Sequence, residues 1–257
     1  MKINVSSNTI SESIIVKPVL PPQTESYKLC IKADALRFAN LYQESIAKYL
    51  RSLMLERNNP DGYYGLGVSY KFLGDYDKAI DSLLKASELD STRFDIAFEL
   101  GVTYMLMGFP CKAVKHFIDA IMIDKENTEA QLQLAMAHEL LDEEDLALLI
   151  YNRIIECSPS CLKAYNHKAA LLMSLSDFKE AAVTFRQVLK LNPNYYKAYF
   201  GLGICFDRLN EKRLAQRYYK KFVELKPHSK DAVIANHRLN SFKRTSMSKS
   251  KNKLKIV

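Results

Sequence analysis

Five cysteines and five histidines are the side chains of this chain most suited to metal binding or nucleophilic chemistry. The histidines are His116, His138, His167, His228 and His237. Cys157 and Cys161 are the one close pair of cysteines, but Pro159 lies between them, and no second Cys or His pair completes a tetrahedral metal site. The remaining cysteines are Cys30, Cys111 and Cys205. Scattered cysteines in odd number are typical of a reduced chain, so we expect no metal and no cofactor.

Other signatures of catalysis do not accompany these residues. The sequence has no glycine-rich phosphate loop, no His pair with metal-ligand spacing and no nucleophile motif. We therefore expect a non-enzymatic protein without a small-molecule substrate.

Composition narrows the class of protein further. The chain has 257 residues, 48% of them hydrophobic, and a net charge of +8. It has no apolar run of the length that a membrane span requires, and its first residues lack the apolar core of a secretory signal. Together with the scattered cysteines, these features predict a cytoplasmic protein without a transmembrane segment.

The positive charge suggests an acidic partner. Residues 243–257 hold six Lys or Arg and no acidic residue, so we assign most of the excess charge to this tail. The tail is rich in Ser, Lys and Asn, and residues 1–25 are rich in Ser and Pro; both segments are predicted to be disordered. Binding of RNA or of an anionic surface through residues 243–257 is a less favoured alternative function.

The elements that position the side chains follow from an internal repeat of 34 residues. Alanines recur at this interval, at Ala79, Ala113, Ala147, Ala181 and Ala215. Twelve residues before each alanine stands a small residue, at Gly67, Gly101, Ala135, Ala169 and Gly203. Four residues after each alanine stands a bulky one, at Leu83, Phe117, Tyr151, Phe185 and Tyr219. Small residues facing large ones predict two closely packed antiparallel helices in each unit.

Breaks in the pattern support this interpretation. Within units the links "LGDY", "MGFP" and "LNEK" suit a helix end and a tight reversal, and Pro159, Pro193 and Pro227 follow the second helices at intervals of 34. Each unit is therefore predicted to be a helical hairpin.

These residues resemble the tetratricopeptide repeat family. Numbering each unit from 1 to 34, the unit at residues 60–93 matches the family pattern with Tyr63, Leu66, Gly67, Tyr70, Gly74, Ala79 and Ala86 at positions 4, 7, 8, 11, 15, 20 and 27. His138 occupies position 11, where the family has an aromatic residue, so a packed ring is favoured over a catalytic one.

The resemblance implies an all-α right-handed solenoid of helix-turn-helix hairpins. Six units are predicted, near residues 26–59, 60–93, 94–127, 128–161, 162–195 and 196–229, followed by a capping helix at residues 230–242. The first unit is degenerate, because Ser45 replaces the alanine of position 20.

The resemblance also implies a concave groove formed by positions 2, 5, 6, 9, 12 and 13 of each first helix. Groove candidates are Tyr64, Val68, Phe72, Phe98, Val102, Met105, Leu132, Met136, Lys163, Asn166, Lys197 and Phe200. The apolar members form either a site for apolar side chains of a partner or an ordinary core covered by neighbouring helices.

Charged residues at position 2 change sign along the chain, from Asp61, Asp95 and Glu129 to Lys163 and Lys197. This change either orients a bound segment or, for the acids, stabilises helix starts. The family's carboxylate clamp for acidic "EEVD" tails is not expected, because no unit has Lys at position 5 or Asn at position 9.

The sequence thus predicts a protein-interaction scaffold or adaptor that holds a peptide or helix of a partner protein in the groove. The alternative with the same fold is a chaperone that shields an apolar segment of a secreted or assembling partner.

Overall fold

The computed structural model describes the backbone of residues 24–253 and the side chains of residues 24–242, and within that range it contains thirteen α-helices and no strand. The helices pair into six hairpins: α1 (Glu25–Phe38) with α2 (Tyr42–Leu55), α3 (Pro60–Leu73) with α4 (Tyr76–Leu89), α5 (Phe94–Leu106) with α6 (Pro110–Ile123), α7 (Thr128–Glu139) with α8 (Glu144–Cys157), α9 (Leu162–Ser174) with α10 (Phe178–Leu191), and α11 (Tyr196–Arg208) with α12 (Lys212–Leu225). The last helix, α13 (Lys230–Lys253), follows the sixth hairpin. The predicted all-α solenoid of about six units is confirmed.

Every hairpin turns at a residue in the left-handed region of backbone space. Gly74 and Gly108 have φ of 82° and 78°. At the same position of the other units stand residues with short polar side chains: Asn40, Asp142, Ser176 and Asn210. Such side chains tolerate this conformation better than most non-glycine residues. The same reversal is therefore made six times, which gives each hairpin the same geometry.

Within a hairpin, the two helices approach closely where a small residue faces a large one. A Cβ atom added to Gly101 would lie 2.5 Å from the Phe117 ring, and one added to Gly203 would lie 2.5 Å from the Tyr219 ring. The alanines of position 20 are fully buried beside these contacts. The predicted pairing of position 8 with position 24 is therefore present.

The same large residues also join successive hairpins. A Cβ on Gly65 would lie 2.1 Å from Tyr49 of the preceding hairpin, and a Cβ on Gly201 would lie 2.5 Å from Phe185. These two rings thus fill the space between their own hairpin and the next one, and the buried residues form four core clusters that follow one another along the stack.

First helices lie on the inner side of the stack. Contacts join α1 to α3, α3 to α5, α5 to α7 and α9 to α11, in addition to those between sequential helices. Since first helices approach one another in this way, their free faces line the concave groove, and the second helices form the outer layer.

Ser45 explains why the first unit can depart from the alanine pattern. Its side chain is fully buried, and its hydroxyl donates to the Ala33 carbonyl at 2.9 Å and lies 3.2 Å from the Ser69 Oγ. A small hydroxyl therefore fits the close contact because each of its polar atoms finds a partner.

The C-terminal segment departs from the sequence prediction. A disordered tail was predicted from residue 243, but α13 continues as helix to Lys253. No Gly or Pro interrupts residues 230–253, so nothing in the sequence stops the helix once packing has nucleated it. The predicted disorder of residues 1–25 falls almost entirely outside the described residues.

We predict that replacing Ala113 or Ala147 with Leu lowers the free energy of unfolding by roughly 1–3 kcal/mol, because each alanine is fully buried at a helix-helix contact. Chemical denaturation measures the change. Ala47→Leu, at an exposed position of α2, is the matched control and should be near neutral. Unchanged stability in both core variants would contradict the packing described above.

Candidate functional site

A row of large apolar side chains is exposed at one repeat position. Position 13, in the last turn of the first helix, is occupied in the first four hairpins by Phe38, Phe72, Leu106 and Leu140, whose exposed fractions are 75%, 56%, 53% and 62%. The next two units have Ser174 and Arg208 there. We call these four side chains the apolar row. Because first helices form the inner layer, the row follows the concave groove beside the hairpin turns.

Neighbouring side chains hold the two aromatic members of the row in place. Phe72 stacks on Tyr42 of the preceding hairpin, with ring centroids 5.1 Å apart, and the Lys71 ammonium lies 4.7 Å from its centroid. The Arg37 guanidinium lies 4.6 Å from the Phe38 centroid. Contacts of this kind restrict the rings in the free protein and reduce the entropy that a partner would have to offset on binding.

The rings at position 5 are used mainly within the protein. Phe98 packs against Phe94 at 5.5 Å and against Phe117 at 5.9 Å, and it is only partly exposed. Phe200 lies 4.8 Å from Phe222. These candidate rings therefore form the floor of the groove rather than freely exposed anchors.

Tyr64 is the third of these rings, and it lies under a cation. The Arg93 guanidinium is 5.1 Å from its ring centroid. Burial, helped by Glu99 and Asp95, raises the pKa of Tyr64 to about 12, so its hydroxyl stays protonated and can donate a hydrogen bond.

Two of the predicted groove residues belong to the core instead. Val68 is 2% exposed and Leu132 is 3% exposed, so neither can contact a partner. Their helices are covered at these positions by the adjacent hairpins, and for these two residues the ordinary-core interpretation is correct. The other uncharged candidates are partly exposed: Val102, Met105, Met136 and Asn166.

Four of the five position 2 charges form ion pairs: Asp61 and Asp95 share Arg93, the last residue of the second unit, and Glu129 pairs with Lys163. Arg93 bonds to Asp61 and, at 2.6 Å, to Asp95, and Lys163 donates to Glu129 at 2.6 Å. The bond to Lys163 holds the pKa of Glu129 below its usual range. These acids and Lys163 thus link successive hairpins, and Lys197 is exposed to solvent.

A largely buried ion pair lies in the groove wall between α3 and α5. Lys71 donates to Glu99 at 2.5 Å, and the two side chains are only 10% and 18% exposed. Because Lys71 also touches the Phe72 ring, this pair connects the apolar row to the neighbouring hairpin.

The described residues contain no group of three His, Cys, Asp or Glu able to hold an ion. All five cysteines are free. Burial raises the pKa of the Cys205 thiol to about 12, which makes this side chain an unreactive core residue. In the range 24–253, no helix combines the length and hydropathy that crossing a membrane requires.

Models of known protein families match two segments of the chain. Two segments, residues 60–93 and residues 168–230, match models described as tetratricopeptide repeat. Both segments are therefore tetratricopeptide repeats. The hairpins between these segments keep the same register and the same packing of position 8 on position 24.

Solved structures with the same fold match most of the chain at low sequence identity. The C-terminal part of a repeat protein from Cytophaga hutchinsonii has a TM-score of 0.78 at 20% identity, covering 86% of this chain and 90% of that one. YrrB, described as a repeat protein with an unusual peptide-binding site, has a TM-score of 0.60 at 19% identity, covering 74% and 97%. PilW, described as a type IV pilus biogenesis factor, has a TM-score of 0.68 at 16% identity, covering 81% and 97%.

Curated relatives match shorter stretches. A rice protein described as an SGT1 homolog is 31% identical over 75 residues, and fission yeast anaphase-promoting complex subunit 3 is 24% identical over 87 residues. The matches span 29% and 34% of this chain but only 20% and 13% of those proteins.

In tetratricopeptide repeat numbering, all four members of the apolar row stand at position 13, and Phe72 is the one that the sequence predicts as a groove residue. Leu106 and Leu140 stand at the same position of the next two units. Phe38 lies in the degenerate first unit, where the register was less apparent. The signal that identifies Phe38 is the large apolar residue that recurs at position 13 of the first four units.

We predict that Lys71→Ala lowers the free energy of unfolding by about 3 kcal/mol, because it leaves the Glu99 carboxylate shielded from water without its cation. The double variant Lys71→Met/Glu99→Leu should be closer to wild type than either single variant, as thermal and denaturant unfolding can show. Lys78→Ala, which breaks an exposed pair with Asp75, is the control and should have little effect. Equal stability of Lys71→Ala and Lys78→Ala would contradict a structural role for the buried pair.

Proposed function

We propose that this protein is an interaction scaffold whose apolar row holds a segment of a partner protein along the concave groove. The observation that carries the proposal is the exposure of large apolar side chains at one position of four successive first helices. Aligned apolar side chains are unfavourable in water, and a continuous patch of them is typical of a protein-binding surface. The fold itself supports a binding role, since solenoids present extended concave surfaces to partners.

The spacing of the row fits a regular partner segment. Packed helices lie roughly 9 Å apart, so the four side chains of the row span about 27 Å. A partner helix rises 1.5 Å per residue and would cover this distance with about 18 residues, placing an apolar side chain on the row every six or seven residues. An extended peptide would need about eight residues. Both a helix and a peptide therefore suit the groove.

The change of side chains after the fourth hairpin suggests a direction for the segment. After the four members of the apolar row, position 13 is occupied by Ser174 and Arg208. The exposed Lys197 belongs to the first helix of the last of these units. A partner whose apolar stretch is followed by acidic residues would complement both parts. Charges at the edge of an interface mainly affect orientation and the rate of association.

Similar structures are compatible with this proposal. YrrB is described as having a peptide-binding site, and PilW as a factor of pilus biogenesis. The exposure of large apolar side chains in four successive units also favours the narrower role of a chaperone that shields an apolar segment of a secreted or assembling partner. A cytoplasmic location is part of the proposal and rests on the scattered cysteines.

We predict that Leu106→Ser/Leu140→Ser weakens capture of the partner about ten-fold or more, because a partner newly buries the exposed half of each leucine, which contributes roughly half of the 1.5–3 kcal/mol of full leucine burial. The partner is first recovered with the wild-type chain by pull-down and mass spectrometry, and its affinity for each variant is then measured by calorimetry. Stability should remain near wild type, since both leucines are already more than half exposed.

The control carries the same chemical change on other surfaces. Leu146→Ser/Leu149→Ser replaces leucines that are 46% and 64% exposed on the second helix α8, outside the groove. The control should keep full affinity. Loss of affinity in the control together with full affinity of the groove variant would place the interface elsewhere.

A further inference from the structure

The outward face of α12 carries a cluster of cations with almost no acidic neighbours. Five of the fourteen residues of this helix are basic and exposed: Lys212, Arg213, Arg217, Lys220 and Lys221. Among residues 24–242, the single ion pair formed by α12 joins Lys221 to Glu224 at 3.2 Å. The second helix α4, by contrast, has two lysines and three acids. We call this face of α12 the basic face.

The basic face is unfavourable for the helix that carries it. Arg213, Arg217 and Lys221 are spaced four residues apart, so their charges lie on one stripe and repel one another. No acidic side chain of the described residues pairs with either arginine. A local arrangement that lowers stability without an internal compensation is expected at a binding surface.

A cleft lies beside the basic face. Its volume is about 630 Å³, and it opens between α10, α11 and α12. Leu189, Tyr199, Gln216 and Tyr218 line it together with four cations, Arg213, Arg217, Lys220 and Lys221, and with one acid, Glu224, which pairs with Lys221. The cations therefore surround a concave site with an apolar floor, rather than a flat surface.

The aromatic floor favours an acidic peptide over a nucleic acid. Tyr218 stacks on Phe206 at 5.5 Å and is met by Tyr199 at 6.4 Å, and the Tyr199 hydroxyl donates to the Pro193 carbonyl at 2.9 Å. These rings are engaged with one another, whereas binding of single-stranded nucleic acid requires ring faces that are free to stack on bases.

The spacing of the cations fits carboxylates. Arg213 and Arg217 are one turn apart, which is about 6 Å along the helix. Alternate side chains of an extended peptide are about 6.6 Å apart on one side, and guanidinium groups bind carboxylates in bidentate geometry. An extended segment with acidic residues at alternate positions can therefore meet both arginines.

We propose that the basic face docks an acidic, extended segment of a protein partner, at a surface separate from the concave groove. This revises the assignment of the positive charge to the tail. Residues 196–229 alone hold eight Lys or Arg against three Asp or Glu, and residues 60–161 hold eight against eighteen. The basic hairpin is therefore not apparent in the net charge of the chain, because the acidic residues in the middle of the chain offset it.

A labelled peptide of ten glutamates tests the proposal on the full-length chain. Its binding, followed by fluorescence anisotropy at low salt, should weaken about ten-fold in Arg213→Glu/Arg217→Glu. The control Lys28→Glu/Lys32→Glu changes the net charge equally, at two exposed lysines four residues apart on α1, and should bind within about two-fold of wild type. Circular dichroism verifies that both variants are folded.

A milder variant gives an independent measurement. Arg213→Gln/Arg217→Gln should raise the thermal midpoint at low salt, and this gain should disappear at high salt, where the repulsion is screened. Its affinity for the glutamate peptide should fall as well.

Three results would overturn the proposal. In the first, the glutamate peptide does not bind the wild-type chain at low salt. In the second, the α12 and α1 variants weaken binding of the peptide equally. In the third, a ten-nucleotide oligouridylate binds more tightly than the peptide and depends on the same two arginines. The last result would identify the face as a nucleic-acid site instead.

Discussion

The contact between a small residue at position 8 and a large side chain at position 24 is the constraint on which this solenoid depends. The large side chain fills the space within its own hairpin, and at Tyr49 and Phe185 it also reaches the glycine of the next hairpin. Any Cβ at those glycines would collide with the ring unless the helices moved apart. Because the contact recurs every 34 residues, the hairpins stack with one geometry, and side chains at equal positions form rows along the molecule.

The positions of the apolar row and the basic face follow from this regularity. Positions that face the next hairpin become core, as Val68 and Leu132 show, whereas position 13 lies in the last helical turn and remains open. A row of exposed apolar side chains can therefore form only where the sequence repeats a large residue at an open position, and four units do so. On the outer layer, packing does not restrict the exposed positions of the second helices, so α12 can carry a cluster of cations there. The two surfaces are thus separate, and they suit partner segments of different chemistry.

Sequence reasoning predicted the fold well because small and large residues at a fixed period leave few alternative packings. It predicted the site less well, because whether positions 5 and 9 are covered depends on the curvature of the stack, which a single sequence does not reveal. Phe98 is a predicted groove residue, and in the structure it packs on Phe94 and Phe117 and forms part of the groove floor. The composition of residues 243–257 predicts disorder, whereas the lack of Gly and Pro in residues 230–253 allows the helix to continue to Lys253. The basic face was missed because a total charge averages over oppositely charged units.

Hydrogen exchange of the full chain with and without its pulled-down partner tests the central claim, that the apolar row is the docking surface, most directly. Amides in the last turns of α1, α3, α5 and α7 should become more protected on binding, and the second helices α4, α6 and α8 should change little. Protection confined to the second helices, with the last turns of the first helices unchanged, would contradict the account.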